Sequence, residues 1–147
     1  MVALLQRVHE SWVKVDGQEI GRIGKGLNIL LGVMHDDSEA DIPKLVKKIV
    51  NLRIFPNEAG RFDRSLLDIG GEALVVSQFT LAANVKRGNR PDFTQAMEPK
   101  RAEELYEAFV KELAKKVPVQ TGQFGAMMEV GIINDGPVTI VVDSKKL

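Results

Sequence analysis

The hydrophobic period of this chain switches between strand and helix spacing and back again, which sharply limits the folds open to it. Leu27 to Val33 is a nearly continuous apolar run, the pattern of a strand buried on both faces. Ile42, Leu45, Val46 and Ile49 then recur at helical spacing. Glu72 to Leu81 is rich in valine and reads as a second buried strand. Ala102, Leu105, Tyr106, Phe109, Val110 and Leu113 form a second helical stripe. Met127 to Ile133 and Val138 to Asp143 return to strands, with Asn134 to Pro137 as a tight turn between them. At the other end, Met1 to Val8 and Ser11 to Val15 read as strands. Asp16-Gly17 is a hairpin turn signal, and Glu19 to Ile23 returns. The order is strands first, then strands alternating with two main helices, then strands again. It predicts a single α/β domain over residues 1–147. The first helix starts near Asp41, with Ser38 or Asp41 as its cap and Pro43 in its first turn. The second follows Pro99.

Composition narrows the chemistry. The chain has 147 residues, with 20 Lys plus Arg against 20 Asp plus Glu, a formal net charge of zero. Such a balance speaks against coating DNA or RNA through many phosphate contacts. No cysteine occurs, which removes disulfides, thiol catalysis and Cys-based metal sites. The two histidines, His9 and His35, are far apart, and neither an HExxH motif nor a Gly-x-Ser-x-Gly elbow is present. No apolar run approaches the ~20 residues of a membrane span, and MVALLQRVHE does not read as a secretory signal. The expectation is a soluble, cytoplasmic protein with no metal, no cofactor, no membrane and no DNA partner.

Four segments are candidates for function. Ser77-Gln78-Phe79-Thr80-Leu81 lies where a buried strand ends, the place where α/β sheets bind ligands. If the strand runs through Leu81, Ser77 and Phe79 share one face and Gln78 and Thr80 the other. The alternative is polar lining that satisfies loop backbone. Asn134-Asp135-Gly136-Pro137 is either a plain hairpin turn or an element whose unshielded carbonyls face a ligand. The segment holding Lys86, Arg87, Arg90 and Lys100 either meets phosphates or is a solvated face. Phe124 stands outside the helical stripes and offers a stacking surface for a base, with Met127 or Met128 as a soft wall. From these residues alone, an esterase, a nucleotide-binding module and a small-molecule hydrolase all stay open.

Taken together, SQFTL at Ser77 to Leu81, NDGPVT at Asn134 to Thr139 and LLQRV at Leu4 to Val8 resemble the D-aminoacyl-tRNA deacylases. LLGV at Leu30 to Val33, RIFPNEAG at Arg53 to Gly60, RPDF at Arg90 to Phe93 and TGQF at Thr121 to Phe124 extend the resemblance over the whole chain. It implies a homodimer of three-layer α/β/β fold with mixed and antiparallel sheets and active sites at the subunit interface. It implies hydrolysis of the ester joining a D-amino acid, or glycine, to the terminal adenosine of tRNA. Ser77, Gln78, Phe79 and Thr80 would then line the catalytic pocket. Gly136 and Pro137, joined by a cis peptide, would reach the other subunit's pocket and reject L-amino acids at Cβ. Arg7 would brace that element across the interface, and Phe124 and Met128 would surround the adenosine. The partner implied is the aminoacyl-tRNA acceptor end. An aminoacyl ester is already activated. Backbone N–H groups near Phe79 and Thr80, with help from the ribose 2′-OH, would therefore suffice without a strong protein base. In that scheme Thr80 is structural or orienting.

Overall fold

The computed structural model describes residues 1–147. Its organising element is β1, Val2–Val15, which is paired along both edges. On one edge lie β3, Gly26–Gly32, and β2, Gln18–Ile23. The pairs Val8↔Gly26 and Ser11↔Ile23 keep one register, so β2 and β3 run in line, parted only by Gly24 and Lys25. The hairpin expected at Asp16-Gly17 is present, and the two expected N-terminal strands are one continuous strand. β6, Glu72–Ser77, pairs parallel with β3, and β7, Val119–Thr121, pairs parallel with β6. β4, Phe55–Pro56, and β5, Phe62–Arg64, make a separate small ribbon.

The other edge of β1 carries β8, Glu129–Asp143. Two strands joined by a reversing turn were expected here. Instead the chain keeps one direction, pairing from Lys14↔Glu129 to Val2↔Asp143. The Gly-Pro segment is a bulge. Gln6 pairs with Thr139 and Val8 with Asn134, so the four residues Asp135 to Val138 stand opposite Arg7 alone. An extra stretch of this kind leaves the ladder and bends the strand outward.

Both helices, α1, Asp41–Asn51, and α2, Pro99–Ala114, cover one face of the sheet. Leu45 and Ile49 of α1 and Leu105 and Phe109 of α2 are buried in one core with Leu5, Ile29 and Val75. Each such side chain contributes about 1.5–3 kcal/mol. On the opposite face the sheet curls over itself. Val8, Val13, Ile23, Leu74 and Val76 close a smaller apolar cluster with Val130 and Ile132 packed against it. A helical layer, a mixed sheet and its folded-back part give the expected α/β architecture. No helix is long and apolar enough to cross a membrane.

The start of α1 differs in detail. Ala40 occupies the cap position and no side chain caps the helix. Ser38 N–H donates to Asp41 Oδ2 at 2.9 Å, and Asp41 Oδ1 accepts from Ser144 Oγ at 2.7 Å and Lys145 Nζ at 2.8 Å. The expected capping residues are thus used to tie the C-terminal tail to the helix. Burial alone would raise the Asp41 pKa, but the hydrogen bonds from Lys145, Ser38 and Ser144 hold it well below the usual carboxylate range.

Candidate active site

β6 ends at Ser77, four residues before the expected end at Leu81. The chain then enters a short 3-10 helix, Phe79–Ala82. The expected alternation from Ser77 to Leu81 therefore stops at Ser77. The reason is local: Leu81 N–H donates to Gln78 O and Ala83 N–H to Thr80 O, tightening the chain away from the ladder. This break leaves two donors over. The N–H groups of Phe79 and Thr80 open the turn and find no acceptor in the fold. Gln78 Nε2 donates to Thr80 Oγ1.

These residues form the polar end of a cavity of about 820 Å³. Ser77, Gln78, Phe79, Thr80, Phe124 and Met128 all line it, so six of the sequence candidates are brought together. Phe79 is 56% exposed, and its ring meets Phe93 edge-on at 5.0 Å. Phe124 packs against Tyr106 at 5.7 Å. Tyr106 is a post beneath it: its hydroxyl donates to Val75 O at 2.9 Å, and burial pushes its pKa up to about 12. Phe93, Ala96, Met97 and Ala126 complete the walls. Sequence reading missed them because a loop has no period to mark which side chains turn inward.

The cavity holds no free acid or base. Glu98 is its one charged lining residue, and both its oxygens cap α2, accepting from Arg101 N–H at 2.7 Å and Lys100 N–H at 3.1 Å. Neither histidine touches Ser77 or Thr80. His35 Nδ1 lies 3.3 Å from Gln95 O, and His9 Nε2 lies 3.4 Å from Asp135 Oδ1. An activated hydroxyl nucleophile needs a base within hydrogen-bond reach. What the arrangement offers instead is two backbone N–H donors at the polar end of the cavity.

Arg7, Gly136 and Pro137 are not part of this cavity. They form a second cluster on the β8 bulge. Arg7 is 7% exposed; its Nε donates to Asp135 O at 3.0 Å and its Nη1 to Ile54 O at 2.8 Å. Within its own chain Arg7 thus ties the bulge to the loop after α1. Asn134, which the sequence flagged only as a turn residue, pins the far side. Its Oδ1 accepts from Val138 N–H at 2.8 Å and its Nδ2 donates to Thr139 Oγ1 at 3.0 Å. Gly136 has φ +133°, and a Cβ there would meet Val138 Cγ2 at 2.8 Å and Arg7 Nη2 at 3.1 Å. The Gly136–Pro137 peptide is cis, and both residues are exposed.

The fold and the cavity together define a small α/β protein with a largely apolar cavity closed at one end by the polar residues that follow a buried strand. The chain belongs to the D-Tyr-tRNA(Tyr) deacylase family, whose family model matches residues 4–143. It is 68% identical to the D-aminoacyl-tRNA deacylase of a Nitratiruptor species over 147 residues, all of both chains. It is 60% identical to the D-aminoacyl-tRNA deacylase of Aquifex aeolicus, again over the whole of each. Among solved structures, the c-Myc DNA Unwinding Element Binding Protein superposes with TM-score 0.93 at 43% identity, covering 97% of this chain and 98% of that one. A probable eukaryotic D-amino acid tRNA deacylase shares the fold, with TM-score 0.84 at 17% identity, over 96% and 97% of the two chains.

Proposed function

We propose that this chain hydrolyses the ester between a D-amino acid and the terminal adenosine of tRNA, working as a homodimer. One observation carries the chemistry: free N–H groups of Phe79 and Thr80 at the polar end of an apolar cavity without a base. Water attacks the ester carbonyl and the carbonyl oxygen becomes an oxyanion. The bond to the ribose oxygen then breaks, releasing the D-amino acid and free tRNA. Two donors fixed before reaction stabilise that oxyanion, commonly the largest single catalytic contribution. The ribose 2′-OH positions the water. Thr80, its oxygen already accepting from Gln78, orients rather than attacks. Phe124 and Met128 hold the adenine.

Chiral selection falls to Gly136 and Pro137. They project from β8, exposed, and are absent from their own chain's cavity. That supports delivery into the cavity of a second copy, where rigid carbonyls exclude a Cβ of L configuration. Rejection by exclusion needs no contact with the D side chain. Glycine has no Cβ to exclude, so glycyl-tRNA is also accepted.

The test compares D-Tyr-tRNA with L-Tyr-tRNA. Deacylation of the first with the second left intact is expected. Equal rates would overturn chiral selection, and tRNA binding without ester loss would leave only a binding module.

A further inference from the structure

The loop between the 3-10 helix and α2 is a closed finger. Asn84 N–H donates to Asp92 O at 2.8 Å and Asp92 N–H to Asn84 O at 2.9 Å, sealing its base. Seven residues lie beyond that seal, 85 to 91, with Gly88 at φ +63° as the left-handed position that lets the tip turn back. The Asn84 side chain stiffens the outgoing limb by accepting from Lys86 N–H at 2.9 Å.

The finger carries Lys86, Arg87 and Arg90, all exposed, and none meets a carboxylate within ion-pair distance. Each of the other tight basic groups has one member held by an acid, Lys44 by Asp41, Lys115 by Glu112 and Lys145 by Asp37 and Asp41, leaving Lys47, Lys48, Lys116 and Lys146 unpaired; in the finger no member is held. The one acid of the finger, Asp92, is turned to its base. Its carboxylate accepts from Thr94 N–H at 2.9 Å and Thr94 Oγ1 at 3.3 Å. A chain of zero net charge thus concentrates three uncompensated cations in five residues. Two of them are arginines, whose planar fork suits phosphate. The finger also adjoins the cavity. Phe93, next after the seal, is a cavity wall packed edge-on against Phe79. Three residues of extended chain reach about 10 Å, and phosphates recur roughly every 3.4 Å along a stacked strand.

Resting on the deacylase reading, we propose that Lys86, Arg87 and Arg90 grip the phosphodiester backbone just before the terminal adenosine. The finger fixes how the acceptor strand enters while the cavity receives the ester. It contacts no base, so it serves every tRNA alike.

The test combines Lys86→Ala, Arg87→Ala and Arg90→Ala and compares two substrates. One is D-Tyr-tRNA; the other is the D-tyrosyl ester of adenosine, which has no phosphate. On tRNA at about 50 mM salt, KM should rise roughly tenfold with kcat unchanged. The salt slope of log kcat/KM should flatten by about 2, near 0.7 for each lost contact. Turnover of the adenosine ester should not change. An unaltered KM and slope on tRNA overturns the grip, as does an equal loss on both substrates. Should wild-type protein leave D-Tyr-tRNA intact, the deacylase reading fails, and binding of uncharged tRNA still judges the finger. Weaker binding by the triple variant supports it; equal binding overturns it.

Discussion

The end of β6 and the bulge of β8 are both places where a strand gives up its ladder, yet they are finished in opposite ways. At Phe79 and Thr80 the freed N–H groups are left without partners. Around Gly136 nearly everything is tied, by Arg7 from one side and Asn134 from the other. In the reaction proposed above, the first region would receive charge that exists only during reaction, and donors vacant beforehand suit that. In the same proposal the second would refuse a methyl group by position, and a backbone that does not yield suits that. On that proposal, unsatisfied donors and over-determined backbone are complementary requirements of a single catalytic task.

The comparison breaks most readily at Gly136. In Gly136→Ala the new methyl meets Val138 Cγ2 at 2.8 Å and Arg7 Nη2 at 3.1 Å, at φ +133°. Holding an L residue in so sparsely populated a conformation costs about 1–3 kcal/mol. A thermal melt should show a drop of several degrees. kcat/KM on D-Tyr-tRNA should fall on the order of 100-fold, as expected of displaced positioning groups. Full activity in a folded variant would mean that this backbone does not need to be held.

The different finishing of the two regions also explains what the sequence revealed. Periodicity was enough for α1, α2, β3 and most of β6, because Leu45, Ile49, Leu105 and Phe109 repeat at the spacing of the face they bury. The Asn-Asp-Gly-Pro signal reads as a tight turn between two strands. Turn residues report local dihedrals and cannot tell a reversal from a bulge. Only the length of β1, which supplies partners on both sides of the bulge, decides that. β7 has three residues and is set by pairing with β6, too short to show a period. Within the site, the polar end was legible and Phe93, Met97 and Ala126 were not. Both acceptors of Arg7 are backbone oxygens, Asp135 O and Ile54 O, which no side-chain pattern marks.

Thr80→Ala sharpens the other half of the comparison. If vacant N–H donors carry the reaction, removing the hydroxyl and its contact with Gln78 Nε2 leaves them in place. Single-turnover hydrolysis of D-Tyr-tRNA should fall by about tenfold. Loss of a covalent nucleophile costs on the order of 10⁶, so a collapse of that size would assign Thr80 the attacking role.

The smallest effect is expected at a third region that serves neither task. Lys145 Nζ reaches Asp37 Oδ1 at 2.7 Å and Asp41 Oδ1 at 2.8 Å, fastening the tail to α1. Burial opposes its charge, but these carboxylates hold its pKa above the ordinary lysine value. Its stabilisation is therefore complete below pH ~10.4, the unfolded lysine value, and is lost as pH rises through the higher folded value. Asp41 has the opposite sign: its pKa is lowered, so its share is complete above ~3.9 and is lost as pH falls through the lowered folded value. Between these limits the tie is constant. Because Lys145 is 41% exposed, solvent screening keeps its worth to about 1 kcal/mol or less. Lys145→Ala should lower the melting temperature by a few degrees at neutral pH and leave the D to L rate ratio untouched. A changed ratio would show that the tail couples to the β8 bulge, and the division into a vacant, a clamped and a merely structural region would no longer hold.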